Sequence, residues 1–421
     1  MLQGLLHNKH QFALLVLVNA FVGAMIGLER SVLSNFGKTV FSLDGNFILL
    51  SFIVAFGLSK AISNYWVAYL SKTVTRKNIL LLGWLVAIPV PFMLMYAPNW
   101  NWIIAANILL GINQGLAWST TVIMKIDLVG EKDRGFAMGI NEFAGYLSVG
   151  VAAWLASVIA SKYGYAFFPF IPGIVFVFLG LVTTIFWVKD TAPFVQQESK
   201  TSTVPLLKNV WKETSFKHRN ISTVSLNGMM NNLNDAVAWG VIPLLLITNN
   251  FTIAQIGMVA AVYPITWGVS QIFTGKFGDS FCKKQLITTG MLLQSLALLL
   301  FVFFTSYIVL LMASFLLGLG TALVYPNFLS VVAENTHPTQ RAKTLSIFRF
   351  WRDMGYVIGA LISGVLINYV GMQNTILVVA ALTAFAAIVA HYRMCCTKKL
   401  LWNSEVCVTD LAATSNLQHA Y

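Results

Sequence analysis

From Gln11 to about Leu28 the chain is apolar and nearly uncharged. Eleven more runs of similar character follow, near 46–70, 79–97, 101–124, 136–160, 165–188, 221–247, 253–274, 285–305, 307–331, 344–370 and 374–394. A helix of about 20 apolar residues crosses the hydrocarbon of a bilayer. Inside lipid every backbone N–H and C=O must be paired within the structure, so each run has to be helical. The pattern predicts an all-α membrane protein with twelve transmembrane helices. Composition agrees, with 57% of residues hydrophobic and only 10% charged, where a soluble domain carries about 25% charge. No small-residue cleavage site follows the first run, which reads as a retained helix rather than a signal peptide.

The net charge of +12 is confined largely to connections between runs. With both termini cytoplasmic, inner loops and tails hold 21 lysines and arginines, Lys125 among them, and the outer loops only Lys38 and Lys162. This positive-inside asymmetry predicts topology rather than nucleic-acid binding. The longest hydrophilic stretch between runs, 189–220, reads as a linker. The expected organisation is an N-terminal six-helix half (1–188), a cytoplasmic linker (189–220), a C-terminal six-helix half (221–394) and a cytoplasmic tail (395–421).

The halves repeat each other. Gly275-Lys-Phe-Gly-Asp279-Ser-Phe-Cys-Lys283-Lys284 reads as a glycine-rich charged turn, and Ala68-Tyr-Leu-Ser-Lys72-Thr-Val-Thr-Arg76-Lys77 is a degraded copy 207 residues earlier. At the same offset Gly111 matches Gly318, Asp127 matches Glu334, and Arg134 matches Arg341. Parallel repeats of this size are one of the ways in which transporters are built.

The turn resembles the loop between the second and third helices in each half of the major facilitator superfamily. The resemblance implies two pseudo-symmetric six-helix halves and a conformational latch made by Gly275, Asp279, Lys283 and Lys284, with Glu334 and Arg341 accompanying it and Asp127 and Arg134 repeating that pair in the first half. Lys72 stands where the first copy should carry its acid, so Asp127 is expected to serve instead. Asn107 replaces an arginine common on the fourth helix of proton-coupled members. Gly145-Tyr-Leu-Ser-Val-Gly150 lacks the Gly-Pro signature of drug/proton antiporters.

Eight ionisable residues remain within the runs: Glu29, Arg30, Lys60, Glu142, Asp235, Arg349, Arg352 and Asp353. A charge there costs at least about 2.5–3.5 kcal/mol unless it is paired or faces water. Arg349, Arg352 and Asp353 share one helical face by their spacing. Together with Lys60 and Glu142 they are expected to converge on a central cavity. Glu29, Arg30 and Asp235 lie nearer the outer side, with Arg30 in reach of the headgroup region. Four positive and four negative charges could also simply pair as the bundle closes. Asn227, Asn231 and Asn234 form a polar stripe with Asp235 beside it, and Asn107, Asn113, Gln114, Trp239, Tyr263, Trp267 and Gln271 offer donors and aromatic walls for a small organic solute.

The functional expectation is a monomeric secondary active transporter of an anionic or zwitterionic organic solute in the bacterial inner membrane, working by alternating access. A proton is the preferred coupling ion, because four carboxylates are buried beside basic groups. The partners are then a small solute, protons and the lipid bilayer, with no nucleic acid and no cofactor. A drug or metabolite efflux antiporter, or a sensor that kept the fold without transport, are the alternatives. An enzyme is not expected, since the chain has no HExxH, no P-loop and no paired metal ligands.

Overall fold

The computed structural model describes residues 4–43, 45–70, 73–129, 134–191, 193–194 and 205–395. Among them all regular structure is helical. Nine of the helices are long and apolar enough to cross a membrane. The first set comprises α1 (Lys9–Arg30), α2 (Leu33–Val40), α3 (Asn46–Leu70), α4 (Arg76–Ala87), α5 (Pro89–Met95), α6 (Trp100–Val129), α7 (Arg134–Tyr163) and α8 (Ile171–Phe186). A short α9 (Val210–Lys212) and a π-helical turn (Glu213–Lys217) lead to the second set: α10 (Arg219–Ala236), α11 (Ile242–Thr248), α12 (Ile253–Ser280), α13 (Lys283–Phe303), α14 (Tyr307–Glu334) and α15 (Pro338–Arg393).

Local chemistry explains the breaks. Pro89 opens α5 directly after α4, at the first helical position, where its missing N–H leaves no gap. Pro243 cannot donate to the carbonyl of Trp239, and the turn before it, Val237–Val241, widens into a π-helix between α10 and α11. Gly371 interrupts α15 at φ 80°, ψ 170°, a conformation open to glycine and strained for any other residue.

Three expectations change. The Gly275–Lys284 stretch is not a ten-residue turn, because α12 continues through Gly275 and Asp279 to Ser280 and only Phe281 and Cys282 separate it from α13. Gly278 serves packing, since a Cβ there would run into Asn327 Oδ1. Lys125 is not a loop cation, because α6 continues past the expected end at 124 to Val129 and buries it. Arg30 does not reach the headgroup region; it is buried among aromatic rings at the end of α1.

The two sets meet along α7 with α12 and along α3 with α15. Both contacts depend on missing side chains. A Cβ on Gly268 of α12 would sit 2.8 Å from Leu147 N and 3.0 Å from Phe143 O, and one on Gly57 of α3 would sit 2.6 Å from Tyr356 Cβ. The small-residue pairs Gly111/Gly115 and Gly355/Gly359 act in the same way, Gly355 lying where a Cβ would be 2.1 Å from Met229 O. Gly268→Val is therefore expected to lower stability by about 1–3 kcal/mol, as overpacking against backbone does. Thermal unfolding in detergent would show it, and an unchanged midpoint would mean that the α7–α12 contact is looser than drawn.

Candidate solute site between the two helix sets

Asp353 on α15 is the hub. Its Oδ1 accepts from Asn232 Nδ2 at 3.1 Å and lies 3.7 Å from both Lys60 Nζ and Arg352 Nη1. Its Oδ2 accepts from Asn64 Nδ2. Lys60 and Asn64 come from α3, so the carboxylate joins the two sets of helices. Arg349 donates to Ser119 Oγ on α6, and Ser119 donates in turn to Asn64 Oδ1. Arg352 donates to Tyr146 OH on α7 at 3.2 Å and lies 4.2 Å over the Tyr325 ring. Tyr146 stacks on Trp267 with centroids 3.4 Å apart, again between the sets. The space between Lys60, Asn64, Ser119, Arg349, Arg352 and Asp353 is about 10 Å³, room for one water.

The outer charges form a second layer. Asp235 accepts from the hydroxyls of Tyr263 and Tyr356, the latter at 3.2 Å. Trp239 stacks on Tyr356 at 5.4 Å. The Arg30 guanidinium is held 4.5 Å from the Phe56 ring and 4.1 Å from the Trp239 ring, and none of its nitrogens makes a hydrogen bond. Both Glu29 carboxylate oxygens are likewise buried without a hydrogen-bond donor. Lower down, Glu142 accepts from Trp118 Nε1 at 3.3 Å and from Asn141, whose own oxygen accepts from Lys125. The charges of these central layers are thus five cations, Arg30, Lys60, Lys125, Arg349 and Arg352, against the four acids Glu29, Glu142, Asp235 and Asp353, while Asp127, Lys283 and Arg341 are buried at the helix ends.

Lys60, Arg349, Arg352 and Asp353 are brought together as the sequence suggested, with Glu142 linked to them through Trp118 and Tyr146. The asparagine stripe turns elsewhere. Asn231 and Asn234 bond Gln294 on α13 at 3.1 and 2.8 Å, Asn227 bonds its own helix, and the neighbouring Asn232 reaches Asp353 instead. Asn113 and Gln114 donate to the backbone of Gly83 and Val22, so they tie helices rather than line the cavity, and Asn107 donates to Ile103 O. Asn64, Tyr146 and Tyr356 were missed, although each stands four residues from a charge that was singled out: Lys60, Glu142 and Arg352. One helical turn is the spacing at which side chains share a face.

At the ends of the helices two ion pairs repeat. Arg76, at the start of α4, pairs with Asp127 near the end of α6, and Thr191 Oγ1 also donates to Asp127 at 2.8 Å. Lys283, at the start of α13, pairs with Glu334 at the end of α14 at 2.8 Å. Each partner of the first pair matches one of the second at the 207-residue offset. Gly275 is buried near the end of α12, Lys284 is half-buried, and Arg341 is buried. The side chains of Arg134 and Asp279 lie outside the described residues.

The family model described as Major Facilitator Superfamily matches residues 12–230 and again 224–399. The chain belongs to the Major Facilitator Superfamily. It is therefore a multi-pass membrane transporter and not an enzyme. Within this superfamily it is 22% identical over 281 residues to the multi-drug resistance efflux pump PmrA homolog of Lactococcus lactis subsp. lactis, covering 67% of this chain and 69% of the relative. The multidrug resistance protein MdtH of Photorhabdus laumondii is 31% identical over 162 residues, 36% of this chain and 40% of that protein. The crystal structure of the human organic anion transporter MFSD10 (TETRAN) superposes with a TM-score of 0.69 at 14% identity, covering 91% of this chain and 99% of that one. At that identity the likeness shows the superfamily fold.

Proposed function

We propose that this protein is a proton-coupled secondary transporter that moves a small anionic or zwitterionic organic solute by alternating access. The observation that carries the reading is the charge cluster shared by the two helix sets, in which Lys60 of α3 lies 3.7 Å from Asp353 of α15. Charges that face each other across a parting line can exchange one another for solute and for water as the line opens. One surplus cation among the nine charges of the central layers favours an anionic solute, or a zwitterion that offers its carboxylate to Arg349 or Arg352. The acids beside these groups are placed to take up and release the coupling proton.

In this reading the chain has twelve spans in two halves. The nine apolar helices become twelve when α6 and the α10–α11 run, both rich in asparagine, are added and α15 is divided at Gly371. The halves are residues 1–188 and 221–394, joined by the linker 189–220 and followed by the tail 395–421. The protein sits as a monomer in the bacterial inner membrane with both termini cytoplasmic. Asp279, Lys283, Lys284, Gly275, Arg134 and Arg341 act with the Arg76–Asp127 and Lys283–Glu334 pairs as latches. Asp127→Asn should accordingly slow transport in proteoliposomes while leaving solute binding intact. Wild-type turnover would remove the latch role from this pair.

A second reading, efflux of lipophilic drugs, is favoured by the names of the bacterial relatives and by the Tyr146–Trp267 stack. A thermal-shift screen of the purified protein separates the two, since a ligand that binds the folded state raises its midpoint. Organic anions or amino acids that stabilise the wild type but not Arg352→Ala support the first reading. Stabilisation by lipophilic cations alone would replace it with the second.

A further inference from the structure

Away from the central charges, a groove of about 240 Å³ opens between the π-helical turn Glu213–Lys217, the first turns of α10 and the end of α15. Its lining is apolar along Leu226, Met229 and Trp351 and polar at Ser215, Ser222, Ser225 and Arg393. Arg393 donates to Ser222 Oγ at 3.3 Å, and Trp351 Nε1 donates to Ser215 Oγ at 2.8 Å. Arg219 reaches the carbonyl of Tyr392 at 3.4 Å, which ties the start of α10 to the end of α15. The segments that frame the groove carry Lys212, Lys217, Arg219 and Arg393 against one acid, Glu213.

The depth of the groove is marked by rings. Tyr65 of α3 lies 5.8 Å from Trp211, Trp211 lies 5.6 Å from Phe350 and 6.2 Å from Trp351, and Phe216, 63% exposed, lies 6.0 Å from Trp351. Aromatic side chains collect where the bilayer meets water, so this ridge sets the groove at headgroup level. A cavity there, apolar below and cationic above, matches one class of molecule present at that depth.

We propose that the groove binds one anionic glycerophospholipid, with its phosphate on Arg393 and Ser222 and the upper part of an acyl chain along Leu226, Met229 and Trp351. A guanidinium presents a fork of donors suited to a phosphate, and the surrounding lysines add to its attraction. The lipid would bridge the linker segment to the end of α15.

The test uses the full chain in detergent, stripped of lipid and titrated in turn with phosphatidylglycerol, phosphatidylcholine and inorganic phosphate. Thermal midpoints and native mass spectra are the readouts. Phosphatidylglycerol should raise the midpoint and remain bound one to one, while the other two should do neither. Arg393→Gln, at an exposed position that leaves the fold intact, should weaken phosphatidylglycerol retention by at least about tenfold. Lys38→Gln, which removes a cation from α2, should not. Equal retention by wild type and Arg393→Gln overturns the site. Equal stabilisation by phosphatidylcholine overturns its anion selectivity, and saturation by inorganic phosphate alone would make it a phosphate site rather than a lipid site.

Discussion

Asp353→Ala is expected to cost about 3–5 kcal/mol of stability, the penalty for leaving a buried cation without its partner, and to abolish transport. Asp353 faces Lys60 and Arg352 at 3.7 Å each and accepts from Asn64 and Asn232, and all five groups are buried. Removing the carboxylate strands the Lys60 ammonium among the rings of Phe56, Trp118 and Tyr356. The double variant Lys60→Met/Asp353→Leu removes both charges and should recover most of the lost stability, since a dry apolar contact of similar volume can equal a buried pair. Transport should stay absent. The singles Lys60→Met and Asp353→Leu, with the double, complete a cycle that isolates the coupling between the residues. A single variant that unfolds no more easily than wild type would show that Lys60 does not depend on Asp353, and the shared cluster would lose its hub.

Arg352→Lys should weaken solute binding by about a hundredfold. Its guanidinium does two things at once: it donates to Tyr146 OH at 3.2 Å and lies 4.2 Å over Tyr325. A lysine keeps the charge but has neither the planar fork nor the reach to do both. Against a solute carboxylate the lysine would lose one donor of the bidentate pair, a charge-assisted hydrogen bond of about 1.5–3 kcal/mol, which reaches that factor. The shift produced by the best ligand of the screen would measure it. Full binding by Arg352→Lys would mean that the site reads charge alone.

Much of this arrangement was legible because membrane burial makes charges rare. Lys60, Arg349, Arg352 and Asp353 stood out as costly, and three of them shared a helical face by spacing alone. Asn64, Tyr146 and Tyr356 were not legible in the same way, because asparagine and tyrosine within a span have ordinary packing roles and only the neighbouring helix decides between them. Asn231 and Asn232 illustrate the limit: adjacent positions point about 100° apart, and one reaches Gln294 while the other reaches Asp353. Lys125 escaped notice for a different reason. Helix ends are set by capping and packing, and α6 outlasts its apolar run by several residues, which carried a cation expected in water into the interior. The Gly275–Lys284 stretch read as a turn because glycine permits turns, yet here it permits close contact with Asn327.

The paired clasps at the helix ends are equal in sequence position and unequal in surroundings. Arg76 and Asp127 have side chains 13% and 9% exposed, while Glu334, across from a buried Lys283, is 53% exposed. Dissolved ions reach the second pair and are kept from the first, so added salt acts on one clasp and spares the other. The two repeated ion pairs therefore differ in how strongly salt weakens them. In the latch role proposed for these pairs, the second should let go earlier, opening should proceed in two steps, and ionic strength should change the rate of the first step far more than that of the second.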